Sequence, residues 1–241
     1  MPSSLALLLT ELFPTLSTRP LVEPDCWVTK AVRLDPPELQ TLSDAIDMVE
    51  RHDELSTLKQ RILQEHPTRV QHQENDDFRL LDCLTETIAF TWAASWVRGS
   101  PSFTTSLRGT PDIYIDTGFP ESNTWIEAKA IHASEGDRQR TKLMLKTNEP
   151  LLGGFERAGS GLWNKFESDF YDAKAKFDRQ SKGNRILFFN LTMLDMAAWK
   201  TQQDEFEQAN KLAHDLEQRE SSIKIVIVYS YHWMEPIRDL R

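Results

Sequence analysis

The fold is decided by residues 110–131, which read TPDIYIDTGFPESNTWIEAKAI. Two runs rich in Ile, Tyr, Trp and Thr flank the turn-forming stretch DTGFPE, and this pattern predicts two neighbouring β-strands. Side chains alternate between the two faces of a strand. We therefore expect Glu127 and Lys129 to project together from the second strand, while Ala128 between them points the other way.

Asp112 stands at the beginning of the first of these strands. If the register places it opposite Glu127 or Lys129, two carboxylates and an ammonium converge, whereas a slip by one residue would separate them. Close carboxylates repel each other and need cations, and a divalent metal would add to the charge of the lysine. Oxygen ligands from few protein groups suit Mg²⁺. The alternative is that Asp112 caps the strand and that Glu127 and Lys129 form an exposed ion pair.

Helices and strands alternate outward from this hairpin. An apolar helix is predicted over about 77–97, followed by a weak strand in FTTSLRG (103–109). After the hairpin we expect a helix over about 162–180, the strand RILFFNLT, an amphipathic helix and the strand IKIVIVYS. The last two strands are continuous apolar runs, as is typical of parallel strands covered on both faces. The order predicts an α/β fold with a sheet between helices.

Residues 1–70 are expected to be mostly helical and to form a separate N-terminal extension, with the core over 71–241. Apolar residues recur at helical spacing between 38 and 65, which predicts one long helix or a helical hairpin. If that stripe is exposed, it is a candidate surface for a homodimer or a protein partner. The polar stretch RVQHQENDD, residues 69–77, is the expected linker.

Glu86 is the only charged residue between Cys83 and Val97. A carboxylate in so apolar a helix needs a partner, because an unpaired buried charge is costly. The alternative is an ordinary polar stripe on the helix surface, shared with Asp82.

Composition excludes several classes of protein. The formal charge of -9 argues against a basic nucleic-acid coat, and two cysteines make neither a disulfide framework nor a zinc site. No segment has the run of about 20 apolar residues that spans a bilayer, so we expect a cytoplasmic protein without a membrane partner. Residues 129–185 carry twelve basic and eight acidic residues, and this local positive excess could contact phosphates or simply be a solvated helix face.

The pattern of Pro111, Asp112, Glu127 and Lys129 resembles the motif of the PD-(D/E)xK nuclease superfamily, also called restriction-endonuclease-like. The core of that superfamily is a helix, a three-stranded meander bearing the motif, a helix and a further strand. The order of elements over about 77–241 is similar. The resemblance implies a mixed central β-sheet flanked by helices, and it leaves the N-terminal helices outside the core.

In that superfamily the acids hold Mg²⁺, for which Mn²⁺ substitutes. The resemblance thus implies that Asp112 and Glu127 bind the metal with the carbonyl of Ala128, and that Glu86 supports it. Lys129 would position the attacking water and offset phosphate charge. A lysine beside two carboxylates has its pKa raised, so we expect this electrostatic role rather than that of a base.

The resemblance predicts a Mg²⁺-dependent nuclease that hydrolyses phosphodiester bonds, with an endonuclease acting on DNA favoured over RNA. Its setting would be restriction, repair, or defence against phages or mobile elements. Two alternatives stay open: an inactive nucleic-acid- or protein-binding module of the same fold, and a nuclease effector that acts on RNA. The candidate nucleic-acid contacts are Arg138, Arg140, Lys142 and Lys165, the last a stand-in for a residue that assists the site from the following helix.

Overall fold

The computed structural model of the protein describes residues 2–14, 31–32, 39–65, 76–104, 109–131, 160–180, 183–193 and 199–231. Its helices and strands follow in the order α1 (Ser4–Leu12), α2 (Gln40–Arg51), α3 (Leu55–Glu65), α4 (Asp76–Trp96), β1 (Ser100–Phe103), β2 (Ile113–Asp116), β3 (Thr124–Ile131), α5 (Ser160–Phe177), β4 (Asn184–Met193), α6 (Trp199–Arg219) and β5 (Ile223–Tyr231). Within these residues, no helix is long and apolar enough to cross a membrane.

The strands form one five-stranded sheet in the order β1-β2-β3-β4-β5. The first three are antiparallel neighbours, and β3, β4 and β5 run parallel to one another. Parallel neighbours need a crossover connection, and α5 and α6 lie in the two crossovers. The predicted α/β fold with a mixed sheet and flanking helices is therefore confirmed.

Each face of the sheet is covered by its own hydrophobic cluster. Ile126 and Phe188 point toward helices α1 to α4, whereas Leu187 and Phe189 point toward α5 and α6. Strand β4 is apolar on successive residues because both of its faces are buried. This is the burial that its continuous apolar sequence predicts.

The apolar stripe between residues 38 and 65 forms a helical hairpin and not one long helix. Helix α2 ends at Arg51, α3 begins at Leu55, and Asp53 adopts a φ of 60° in the turn between them. The stripe packs in the same cluster as α4 and the sheet, through Leu42, Ile46, Val49, Leu58 and Ile62. Because the stripe is occupied within the chain, a homodimer or partner contact through the N-terminal helices stays a prediction that would need another surface.

The division into an extension and a core near residue 70 also stays a prediction. Most of the expected linker lies outside the described residues, but helices on both sides of it contribute to one hydrophobic cluster. The N-terminal helices therefore cover one face of the sheet.

The first strand lies earlier than predicted. The structure places β1 at Ser100–Phe103, so it shares only Phe103 with the strand expected over 103–109, and residues 105–108 lie outside the described residues. Strand β1 is at the edge of the sheet and pairs only with β2. Proline has no backbone N–H to donate. An edge strand tolerates Pro101 because the nitrogen of this residue can face solvent instead of the partner strand.

Candidate functional site

The hairpin of β2 and β3 places Asp112 beside Glu127. The two strands are antiparallel with Ile113 opposite Ile126, so the preceding Asp112 faces Glu127. Oδ2 of Asp112 accepts a hydrogen bond of 2.9 Å from the backbone N–H of Ala128. This is the register that brings the predicted acids together, and a slip by one residue would have parted them.

Glu127 is buried, with only 1% of its surface exposed. Its Oε1 lies 2.9 Å from Nζ of Lys129 and 2.5 Å from Nζ of Lys176, which reaches it from α5. Its Oε2 is buried and makes no hydrogen bond to any described residue. Burial, followed by the charge of Asp112, raises the pKa of Glu127 to about 7, although both lysines oppose the rise.

Glu86 projects from α4 and pairs with Arg61, which projects from α3. Its Oε2 lies 2.8 Å from Nε and 2.6 Å from Nη2 of the arginine. Burial, and then the charge of Asp112, raises the pKa of Glu86 to about 8, although Arg61 opposes the rise. The predicted need for a partner is met by a cation from the N-terminal helices.

Arg61 also binds Asp112 and so joins the two acids. Its Nη2 lies 3.1 Å from Oδ1 of Asp112, and its Nη1 donates to the backbone carbonyl of Thr104 at 2.9 Å. When all three acids are ionised, Glu86, Asp112 and Glu127 carry three negative charges, which Arg61, Lys129 and Lys176 balance.

Lys129 keeps its proton near neutral pH. Burial alone would lower its pKa, but the adjacent Glu127 and the nearby Asp112 outweigh burial and raise the pKa above its ordinary value. The lysine can therefore attract an anion or donate a hydrogen bond, but a general base would need a lowered pKa.

The structure thus gathers Asp112, Glu127, Lys129, Glu86 and the backbone of Ala128 in one place. In the part of the chain that the structure describes, no three His, Cys, Asp or Glu side chains form a ready-made metal cage. Arg61 forms ion pairs with both Glu86 and Asp112, so two of the three acids already have a cation as partner.

The predicted nucleic-acid contacts are not part of this described cluster. Lys165 pairs with Asp169 at 2.7 Å on α5, and half of its side chain is exposed. Lys176, further along the same helix, is the α5 lysine that reaches the site. Three further candidates lie outside the described residues: Arg138, Arg140 and Lys142.

Sequence reasoning missed Arg61 and the site position of Lys176. Both had a weak local signal, since Arg61 immediately precedes Ile62 in the apolar stripe and Lys176 immediately precedes Phe177 on the buried side of α5. A basic residue at the edge of an apolar stripe usually extends its charged end to water, so this signal alone does not predict a buried ion pair. Nothing local indicates which acid it meets.

The described residues define an α/β protein with a buried carboxylate–cation cluster at its β2–β3 hairpin. Comparison of the chain with protein-family models, curated proteins and solved structures found no match. The function of this chain must therefore be inferred from the chemistry of the cluster.

Proposed function

We propose that the protein is a Mg²⁺-dependent nuclease that hydrolyses phosphodiester bonds, with DNA as the favoured substrate. The observation that carries the proposal is the buried Oε2 of Glu127, which has no partner among the described residues and lies beside Asp112 and Lys129. A buried polar atom left unsatisfied in a native protein calls for an explanation, and a missing ion is one of the common ones. The unsatisfied Oε2 of Glu127 thus supports the assignment of the PD-(D/E)xK pattern to the restriction-endonuclease-like nucleases.

The residues at this position fit a hard divalent cation. Asp112 and Glu127 offer carboxylate oxygens, and Mg²⁺ binds oxygen through few protein ligands. The N–H of Ala128 points toward Asp112, and in a strand the carbonyl of the same residue points to the same side. Asp112, Glu127 and the Ala128 carbonyl would therefore hold the metal, with Glu86 in support. When bound, Mg²⁺ polarises a phosphoryl oxygen and makes water easier to deprotonate.

The protein's own cations would prepare the site for a phosphate. Lys129 and Lys176 both point at Oε1 of Glu127, and both side chains remain about one quarter exposed. A phosphate that approaches from the exposed side meets two ammonium groups. Lys129 would orient the attacking water and offset the charge that develops on the phosphate, since a preorganised cation stabilises such charge without rearranging.

A non-catalytic binding module is the second candidate. It is favoured by the charge balance, because Arg61, Lys129 and Lys176 neutralise the three carboxylates without any metal. In this case the cluster would stabilise the fold around a recognition surface. Fold alone does not decide between the two, since one fold can host many functions.

The test is cleavage of plasmid DNA, single-stranded DNA and RNA by the purified protein, with Mg²⁺ and with excess chelator. We expect Mg²⁺-dependent cleavage, strongest on DNA, that falls by about 100-fold or more in Asp112→Asn and Lys129→Met. Lys174→Met is the matched control, because Lys174 lies on α5 close to Lys176 but forms an exposed pair with Asp178.

Cleavage of RNA alone would favour the RNA effector. Full activity in Asp112→Asn, or cleavage that resists the chelator, would contradict the mechanism. Absence of cleavage, together with absence of Mn²⁺ binding by calorimetry, would favour the binding module.

A further inference from the structure

Arg61 is held in one position by its surroundings. It is 8% exposed, its three nitrogen atoms all contact oxygen, and its guanidinium carbon lies 5.6 Å from the centre of the Phe103 ring. The planar fork suits this role, since it can serve several acceptors at once. Because all three of its nitrogen atoms have hydrogen-bond partners, the guanidinium of Arg61 is a fixed part of the site.

The charge of Arg61 is permanent. A guanidinium does not lose its proton in a protein, so no change of pH removes this cation from the cluster. It offsets the mutual repulsion of Glu86, which is partly buried, and Asp112, which is buried, and neither acid has another described cation as close. Removing one partner of a buried ion group leaves an uncompensated charge, which is strongly unfavourable.

Because of the same contacts, Arg61 and a divalent metal would compete for Asp112. Oδ1 of Asp112 already lies 3.1 Å from its Nη2, and Oδ2 accepts from Ala128, so both oxygens of this predicted metal ligand are engaged. A divalent ion on Asp112 would stand within a few ångströms of a like charge in a region of low polarity. It must therefore either take the place of the guanidinium or bind less tightly because of it.

We propose that Arg61 is a built-in competitor for the divalent metal at Asp112 and Glu86. Arg61 keeps the two acids paired while the metal is absent and lowers the affinity of the site for the ion. This inference rests on the proposed metal site, and it assigns the N-terminal helix α3 a direct part in controlling that site.

The test measures Mn²⁺ binding to the full-length protein by calorimetry, together with the shift that Mn²⁺ causes in the unfolding temperature. Arg61→Met keeps most of the length of the side chain and removes its charge. We expect it to bind Mn²⁺ at least about tenfold more tightly than the wild type, because one nearby like charge is gone. Lys59→Met is the matched control on the same helix, since Lys59 pairs only with the exposed Glu11 in the described residues.

A second comparison covers the case in which Arg61→Met does not fold, as judged by near-UV circular dichroism. The double variant Arg61→Met with Glu86→Gln removes the uncompensated carboxylate, and its reference is Glu86→Gln alone. The same gain of about tenfold is expected between this pair.

The possible failures are distinguishable. If the wild type binds Mn²⁺ and the folded Arg61 variants bind it no more tightly than their references, the competition is overturned and the proposed nuclease site stands. If neither the wild type nor any variant binds Mn²⁺, the proposed metal site fails and this inference fails with it.

Discussion

The partners of the individual carboxylate oxygens decide where the cluster can bind a cation. Both oxygens of Asp112 are engaged, one by Arg61 and the other by the N–H of Ala128. Glu127 uses one oxygen for two lysines and keeps the other without a described partner. An incoming cation would therefore meet Glu127 first and reach Asp112 only by exchange or by sharing.

Two glycines with positive φ, Gly99 just before β1 and Gly118 in the turn between β2 and β3, give a prediction about the effect of adding one carbon atom. Gly99 has a φ of 129°, and a Cβ there would lie 2.5 Å from the backbone oxygen of Asp116. Gly99→Ala should lower the free energy of unfolding by about 2–4 kcal/mol, since strain and overpacking add. Gly118 has a φ of 76° but no described atom within 4 Å of such a Cβ. Gly118→Ala should cost only about 1 kcal/mol.

Urea denaturation of the two alanine variants measures both values. Gly118→Ala serves as the control, because it shares the positive φ but not the close contact. Equal losses in the two variants would contradict the pairing of β1 with β2 at this point.

The sequence reveals the acids of the hairpin and Lys129, but not the cations that reach the acids from other elements. Period-two alternation places Glu127 and Lys129 on one face, and a single choice of register then brings Asp112 to them. Arg61 is 51 residues away from Asp112 and meets it only through the packing of α3. No local pattern encodes a partner at that distance, so the sequence does not indicate that Arg61 is the cation beside Asp112.

Among the helices and strands, the length and the burial of an element decide whether its sequence predicts it. The long helices are predicted because each carries a helical period over many residues, and the two interior strands because each is a continuous apolar run of strand length. Strand β1 has four residues and contains Pro101, so its pattern reads as a break. It forms because β2 has an unpaired edge with which β1 can form backbone hydrogen bonds. That edge exists only in the assembled sheet, so the sequence of β1 does not indicate it.

The α2–α3 hairpin shows the same limit. The apolar residues have helical spacing on each side of the polar residues 51–54, and this spacing left one long helix and two short ones both open, although the stripe shifts by about half a turn between Val49 and Leu58. The turn depends on Asp53 in the left-handed region, a conformation that Asp tolerates better than most residues. This hairpin brings Arg61 back over α4, which places it within reach of Glu86.

At the scale of the whole molecule, the sheet separates two cores, and the site lies where both contribute. Glu86 and Arg61 come from the side of α1 to α4, whereas Lys176 comes from α5 on the opposite side. Asp112 lies just before β2 begins, so its side chain can reach the arginine while its backbone leads into the hairpin. The N-terminal helices should therefore unfold together with the sheet.

Adjacent residues of α3 test this cooperativity. Ile62 is fully buried and Leu63 is 40% exposed. Ile62→Ala should lower the free energy of unfolding by about 2–5 kcal/mol, because it leaves a cavity in the shared core. Leu63→Ala should change it by no more than about 0.5–1 kcal/mol.

Hydrogen exchange followed by mass spectrometry provides the measurement. In Ile62→Ala, exchange should accelerate in β3 and β4 as well as in α3, because one cooperative unit has lost stability. Faster exchange confined to residues 39–65, with the strands unchanged, would show instead that the N-terminal helices open on their own.

The central claim is that Asp112 and Glu127 share a hard cation. It is tested most directly by anomalous diffraction from crystals of the wild-type protein grown with Mn²⁺. We expect one strong anomalous peak at bonding distance, about 2.1 Å, from a carboxylate oxygen of each residue, beside the backbone of Ala128. An absent peak, or a peak bound elsewhere while Glu127 contacts only the two lysines, would contradict it.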